Sequence, residues 1–200
     1  MGFRVSPTKS GLLIGESPKR RSDKMKIKTV DLVLIALFAA IIAVLSQISI
    51  PTPFGVPVSL QTFGVALCGY FLGTKKGAAA LLVWIAVGVV GVPVFAGFKG
   101  GFAALVGVTG GFIYGFIPLV LLCGIELKRK PLRIALGAAG IIACHLCGAA
   151  QYALLMGIDF LQSVLTVSVP FLIKDFVSIV LAYFGAVAIK SATKRFFANS

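Results

Sequence analysis

Asp31-Leu-Val-Leu-Ile-Ala-Leu-Phe-Ala-Ala-Ile-Ile-Ala-Val-Leu-Ser-Gln-Ile-Ser49 carries one charge, at its first residue, and none in the eighteen that follow. At 1.5 Å of rise per residue such a run reaches about across the roughly 30 Å hydrocarbon core of a bilayer, so it reads as a membrane-spanning helix. Five more apolar stretches are set off by turn and charge signals, at about 58–73, 77–92, 109–126, 132–156 and 171–191. Lipid offers no partner to an unpaired backbone group, so all six are expected as helices. The expected fold is an all-α integral membrane bundle of six transmembrane helices, residues 31–195, between a basic tail at 1–30 and a short tail at 196–200. The second and third stretches are short for a bilayer, which implies local thinning or a bundle hollow on one side.

The rest of the chain agrees with that first stretch. It is 58% hydrophobic and 12% charged, with a mean hydropathy of +1.04, too apolar for a soluble domain or a disordered chain. The net charge of +13 would suggest nucleic acid in a soluble protein, but the basic residues lie in short clusters between apolar runs, which excludes that partner. Sorting the loops with the N-terminus inside places seventeen basic residues on the cytoplasmic side: eight in the tail, Lys75, Lys76, Lys128, Arg129, Lys130, Arg133, Lys190, Lys194 and Arg195. Only Lys99 and Lys174 remain opposite, so both termini are expected in the cytoplasm of a multi-pass protein of the cell membrane. Leu12-Leu-Ile14 is too short for the apolar core of a signal peptide. Met25-Lys-Ile-Lys28 resembles a natural start, and 1–24 reads as an upstream extension.

That sorting singles out Lys99, in a glycine-rich connection, and Lys174, beside Asp175 at the start of the last span. Lys99 reads either as a snorkelling lysine or as a ligand cation. Asp175 reads either as a helix-start carboxylate or as a functional group, the default for an ionisable residue inside a span. Pro51, Pro53 and Pro57 keep 49–58 out of a helix and imply a stiff extended lid or wall at the outer face. Gln61 and Thr62 follow just inside the second span and need polar partners there, from backbone or ligand. Gly97, Gly100, Gly101, Gly107, Gly110 and Gly111 allow close backbone approach, and their density suggests a re-entrant ligand loop more than helix packing. Ala36 and Ala40, like Ala39 and Ala43, form small-residue ridges suited to another helix of this chain or of a partner.

Other chemistries are missing. There is no nucleotide-binding loop, zinc helix or nucleophile elbow, so the chain is not expected to be an enzyme, and any energy for uphill movement enters elsewhere. Cys68, Cys123, Cys144 and Cys147 all lie in apolar runs and read as small hydrophobes. No metal site is expected, since Cys144-His145-Leu-Cys147 lacks a second ligand pair. His145 has no carboxylate near it in sequence and reads as a packed core histidine.

Three longer motifs carry a resemblance. Gln47-Ile-Ser-Ile-Pro-Thr-Pro-Phe-Gly-Val-Pro-Val-Ser-Leu-Gln-Thr62, Gly91-Val-Pro-Val-Phe-Ala-Gly-Phe-Lys-Gly-Gly101 and Gly107-Val-Thr-Gly-Gly-Phe112 together resemble the BioY family of biotin-binding S components of energy-coupling factor (ECF) transporters, over about residues 25–195. The resemblance implies a six-helix S component that captures biotin from outside under the loop joining its first two spans. It also implies a transmembrane coupling subunit and two cytosolic ATP-binding subunits as partners, with Ala36 and Ala40 matching the motif that contacts the coupling subunit. No cofactor is implied; biotin is the transported ligand. The family pattern Pro-Phe-x-x-x-Asp-x-x-Lys finds Pro170, Phe171 and Asp175, but Ser178 stands where the lysine belongs. Lys174 is a candidate replacement, although it points about 100° away from Asp175 on a helix.

Biotin joins a ureido head, with two N–H donors and a carbonyl, to an apolar chain ending in a carboxylate. Its site needs acceptors, donors, an apolar slot and a cation. Asp175 is expected to accept from the ureido head, Gln61 and Thr62 to complete the polar shell, and Lys99 to meet the carboxylate. Gly100 and Gly101 from the glycine loop, Phe54, Phe95, Gln151, Tyr152 and Lys174 complete the candidate site. The competing readings are an S component for riboflavin or thiamine, a membrane-embedded enzyme, and a structural subunit without a ligand.

Overall fold

The computed structural model describes residues 1–2 and 28–198. Most of the basic tail, including the expected extension 1–24, lies outside the described residues. The chain runs through helix α1 (Thr29–Gln47), a two-stranded hairpin of β1 (Ser49–Ile50) and β2 (Val58–Ser59), then α2 (Gln61–Val89), α3 (Ala103–Val106), α4 (Gly110–Cys123), α5 (Lys130–Met156), α6 (Phe160–Val167) and α7 (Val169–Ala198). Apart from the hairpin, the described chain has no regular structure other than helix. Within it, Thr29–Gln47, Gln61–Val89, Lys130–Met156 and Val169–Thr193 are long and apolar enough to cross a membrane, and α4 is a shorter apolar helix.

α2 is a folded-back pair of helical legs. Gly73 interrupts it at φ 78° and ψ 175°, a conformation that costs a side-chain-bearing residue strain and glycine none. Beyond that break the second leg returns along the first: a Cβ on Gly77 would lie 3.3 Å from the Gly69 Cα, whereas eight residues of continuous helix would separate them by about 12 Å. The two short apolar stretches at 58–73 and 77–92 are these legs. The first starts at Gln61 because Val58 and Ser59 pair with the other arm of the hairpin.

The hairpin occupies the proline-rich linker. Ser49 pairs with Ser59 and Ile50 with Val58, and Pro51, Pro53 and Pro57 lie in the connection between the strands, where a missing N–H breaks no ladder bond. The wall expected from this segment is thus a short β-hairpin.

α4 lies against α5 along a glycine seam. A Cβ on Gly115 would sit 2.6 Å from the Cys144 Cα, one on Gly111 would run into the Cys147 carbonyl, and one on Gly148 into the Phe112 ring. Gly110 and Gly111 therefore open and pack α4 instead of forming a re-entrant ligand loop, because close helix approach uses up the space their missing side chains leave. α5 ends at Gly157, in the left-handed conformation (φ 64°) that terminates helices. Asp159 then caps α6 by accepting from the Leu161 N–H at 2.8 Å.

The core gathers Trp84, Tyr70, Ile42, Leu81, Leu119, Ile141 and Ile179, all fully buried. Leu32, Leu37, Val44, Ile173, Leu181 and Phe184 are exposed, an apolar exterior suited to lipid and not to water. Polar contacts collect at one end. Lys76 pairs with Asp31 at 2.6 Å and Lys190 with Glu126 at 3.2 Å, while the Arg133 guanidinium lies over the Tyr70 and Tyr183 rings. Lys76, Arg133 and Lys190 thus each meet a partner on another helix or its flanking turn.

Candidate binding site

A cavity enclosing about 630 Å³ of empty space, its open mouth included, lies between the hairpin, the first leg of α2, α4, α5 and α7. Val56, Phe95, Phe112, Ile113, Phe116, Ile141 and Phe171 make it mainly apolar and aromatic, and Ser59, Gln61, Thr62, Thr109, His145, Lys174 and Asp175 supply its polar groups. This is the composition of a site for a small, partly apolar molecule with a polar head.

The polar groups converge on Asp175. His145 Nε2 lies 3.1 Å from Asp175 Oδ2, with both side chains buried. Lys174 Nζ lies 2.6 Å from Asp175 Oδ1, an ion-pair contact that still leaves the carboxylate oxygen lone-pair capacity for a ligand donor. The same ammonium donates to the Ser59 carbonyl at 2.8 Å. Although Lys174 leaves the helix about 100° from Asp175, its four-carbon stem returns the charge to the carboxylate. Ser178, at the position of the family lysine, donates to the Lys174 carbonyl of its own helix at 2.9 Å. Ser59 donates to Gln61 Oε1 at 3.3 Å, leaving the amide nitrogen of Gln61 for another acceptor.

The aromatic wall is held from behind. Trp84 donates to the Val94 carbonyl at 3.1 Å and meets Phe95 edge to face with centroids 5.0 Å apart, and Gly88 leaves the space that the Phe95 ring fills. Gln47, at the end of α1, donates to the carbonyls of Pro93 at 3.1 Å and Phe95 at 3.3 Å and accepts from the Phe98 N–H at 3.1 Å. One side chain thus satisfies three backbone groups of the 93–98 turn. Phe98 adopts φ 57° there, the only described residue other than glycine at positive φ.

Of the residues expected at the site, the structure brings together Asp175, Lys174, Gln61, Thr62 and Phe95. The others lie outside the cavity wall, each for a visible reason. Lys99 is exposed; its carbonyl accepts from the Phe95 N–H at 2.9 Å, which fixes its backbone across the turn from that wall residue. Gly100 and Gly101 shape the turn: a Cβ on Gly100 would come 2.6 Å from the Val92 carbonyl oxygen, and Gly101 sits at φ 84°. Gln151 donates to the carbonyls of Leu105 and Gly107, both at 2.8 Å. Tyr152 is buried beside Val56, Val167 and Phe171, and Phe54 is exposed near the hairpin tip. His145, expected as a packed core residue, faces the cavity and pairs with a carboxylate thirty positions away. Its partner is on another helix, so a search for a carboxylate near it in sequence could not find it; a lone histidine in one span and a lone aspartate in another was the available signal. Among the described residues no group of three or more His, Cys, Asp or Glu side chains is placed to hold a metal.

The BioY family model matches residues 19–195. The probable biotin transporter BioY of Pyrococcus horikoshii is 38% identical over 160 residues, covering 79% of this chain and 96% of its own. The biotin transporter BioY of Thermotoga maritima is 36% identical over 164 residues, covering 80% and 95% respectively. A solved structure of the S-component for biotin from an ECF-type ABC transporter superposes with a TM-score of 0.74 over 81% of this chain and 91% of that one, at 24% identity. That likeness establishes a shared fold.

Proposed function

The chain belongs to the BioY family, and on that footing we propose that it is the biotin-capturing S component of an ECF transporter. The observation that carries this reading is the buried Asp175 and His145 pair, with the half-buried Lys174 against it, in an otherwise mainly apolar cavity. A ureido head requires acceptors for two N–H groups and a donor for its carbonyl. Asp175 Oδ1, ion-paired with Lys174, keeps acceptor capacity for a ureido N–H, and the Lys174 ammonium and the Gln61 amide are the donors. The apolar chain then lies along Phe95, Phe112, Phe116 and Phe171, and the carboxylate is directed toward the mouth, where Lys99 complements it across the turn from Phe95. Thr62, and Gly100 and Gly101 through the turn they shape, complete that site.

Counting the two legs of α2 separately, and α4 with them, the helices make six passes, with both termini in the cytoplasm beside the basic turns. Ala36 and Ala40 face the coupling subunit, and two cytosolic ATP-binding subunits supply the energy. The test is calorimetric titration of the purified protein with biotin, riboflavin and thiamine. Saturable 1:1 binding of biotin alone, without ATP or partners, is expected; binding of another vitamin in its place, or of none of the three, overturns the reading.

A further inference from the structure

We infer that His145 is itself a ligand contact and specificity residue: its Nδ1 lone pair accepts one N–H of the ureido head while Asp175 Oδ1 accepts the other. This rests on the biotin reading. An ionised carboxylate can only accept, so the 3.1 Å contact with Asp175 Oδ2 assigns the ring proton to Nε2. The Lys174 ammonium lies against the same carboxylate, and a ring whose proton is on Nε2 presents a lone pair at Nδ1. That nitrogen is buried and has no hydrogen-bond partner among the described residues, and Asp175 Oδ1 is met by the Lys174 ammonium.

An orphaned nitrogen and an ion-paired carboxylate oxygen with acceptor capacity to spare thus sit on adjoining side chains that both line the cavity. Leaving a buried acceptor unpaired is unfavourable, and a ligand that supplies the missing donors recovers that cost on binding. The ring is also held in place. Phe112 meets it edge to face at 5.7 Å and 87°, and Ser168 donates to the His145 carbonyl at 3.4 Å. A head group with two N–H donors meets both atoms, and one with a single N–H leaves either Nδ1 unpaired or Oδ1 with the Lys174 ammonium alone. His145 therefore makes the site count donors, and a cation at the Ser178 position is not needed for that discrimination.

The sequence contains one histidine, so protein labelled with ¹⁵N-histidine gives one pair of ring-nitrogen resonances with no assignment step. Biotin and its two ureido N-monomethyl isomers are titrated in parallel with calorimetry. Nδ1 is expected to read as unprotonated in the free protein and to shift on biotin saturation while Nε2 stays protonated, and one monomethyl isomer is expected to leave Nδ1 unmoved. The His145→Phe variant is expected to bind biotin about tenfold more weakly and to lose its preference for biotin over that isomer. An Nδ1 signal that does not respond while calorimetry records saturable biotin binding overturns the inference and leaves the biotin reading standing. Protonation of both nitrogens in the complex also overturns it. If the wild-type protein binds no biotin, the biotin reading and this inference fail together. The wild-type spectra decide the matter even where His145→Phe does not fold.

Discussion

Lys174 on α7 and Ser59 on β2, 115 residues apart, are joined by a 2.8 Å hydrogen bond from the lysine ammonium to the serine carbonyl. The same ammonium lies 2.6 Å from Asp175, so one charge both fastens the hairpin to the helix bundle and balances the buried carboxylate. The polar end of the cavity and its β-wall are therefore one mechanical unit.

Replacing Lys174 with methionine keeps most of the stem and removes both contacts. A hydrogen bond to a charged group is worth about 1.5–3 kcal/mol, so biotin affinity is expected to fall by at least tenfold. Backbone exchange is expected to quicken at 49–59 and to stay unchanged in α5. Hydrogen-exchange mass spectrometry with a parallel titration checks both. An affinity loss with undisturbed exchange at the hairpin would separate the ligand role from the tether.

Asp175→Asn is nearly isosteric, and it replaces an acceptor-only group by one that also presents two N–H donors. His145 Nε2 and a ureido N–H then each risk meeting a donor, and the Lys174 charge loses its balance. The expected result is a loss of biotin binding of about a hundredfold together with a lower melting temperature, because the Lys174 ammonium loses its counter-charge. Titration and a melting curve in the same detergent test this.

The all-helical apolar character, the non-helical proline-rich segment and a lone aspartate in the last apolar run were legible because each depends on a local property: apolar run length, a missing N–H, a charge inside an apolar run. The fold-back at Gly73 was visible only as two runs too short to cross comfortably. Of the glycines expected in a ligand loop, Gly110 and Gly111 belong to α4, since glycine serves a loop or a helix seam alike and only the position of α5 beside Gly111 and Gly115 distinguishes the two. The pairing of His145 with Asp175, and the return of Lys174 to the carboxylate it seemed to face away from on a helical wheel, are relationships between side chains of different reach and different helices, which spacing along one chain does not encode.

Gln47 supports the aromatic wall from outside the cavity. Gln47→Ala leaves three backbone groups of the 93–98 turn without their partner, at a net cost of about 1 kcal/mol for each hydrogen bond lost. The expected outcome is faster exchange at 93–98 and several-fold weaker biotin binding, from a residue that does not line the cavity. Unchanged exchange in that turn would show that the Phe95 to Lys99 bond and the Gly97 N–H to Ser49 bond hold it without Gln47.

Lys99 is exposed, and an exposed ion pair is worth about 0.2–1 kcal/mol. Lys99→Ala is therefore expected to weaken biotin binding by no more than about fivefold. Biotinamide, which lacks the carboxylate, is expected to bind the variant and the wild type equally. Equal losses for both ligands would move Lys99 from charge pairing to turn geometry, and the loss for biotin should shrink in high salt if charge pairing is its cause.

The two alanine ridges of α1 are sorted by the fold. Ala39 is buried in the bundle and Ala43 is partly buried and packed against the core, while Ala36 and Ala40, one turn apart, are exposed beside the exposed Val33, Leu37 and Val44. A flat outward stripe in a lipid-facing helix permits close approach by a second helix, which bulky residues prevent. Ala36→Leu with Ala40→Leu adds volume only on that outer face, so the bundle and its cavity are expected to be undisturbed and biotin affinity unchanged. Co-purification with the transmembrane coupling subunit is expected to be lost. Ala39→Leu should do the opposite, lowering stability by about 1–3 kcal/mol through overpacking. Retained assembly in the outer double variant would place the partner on another face of the bundle.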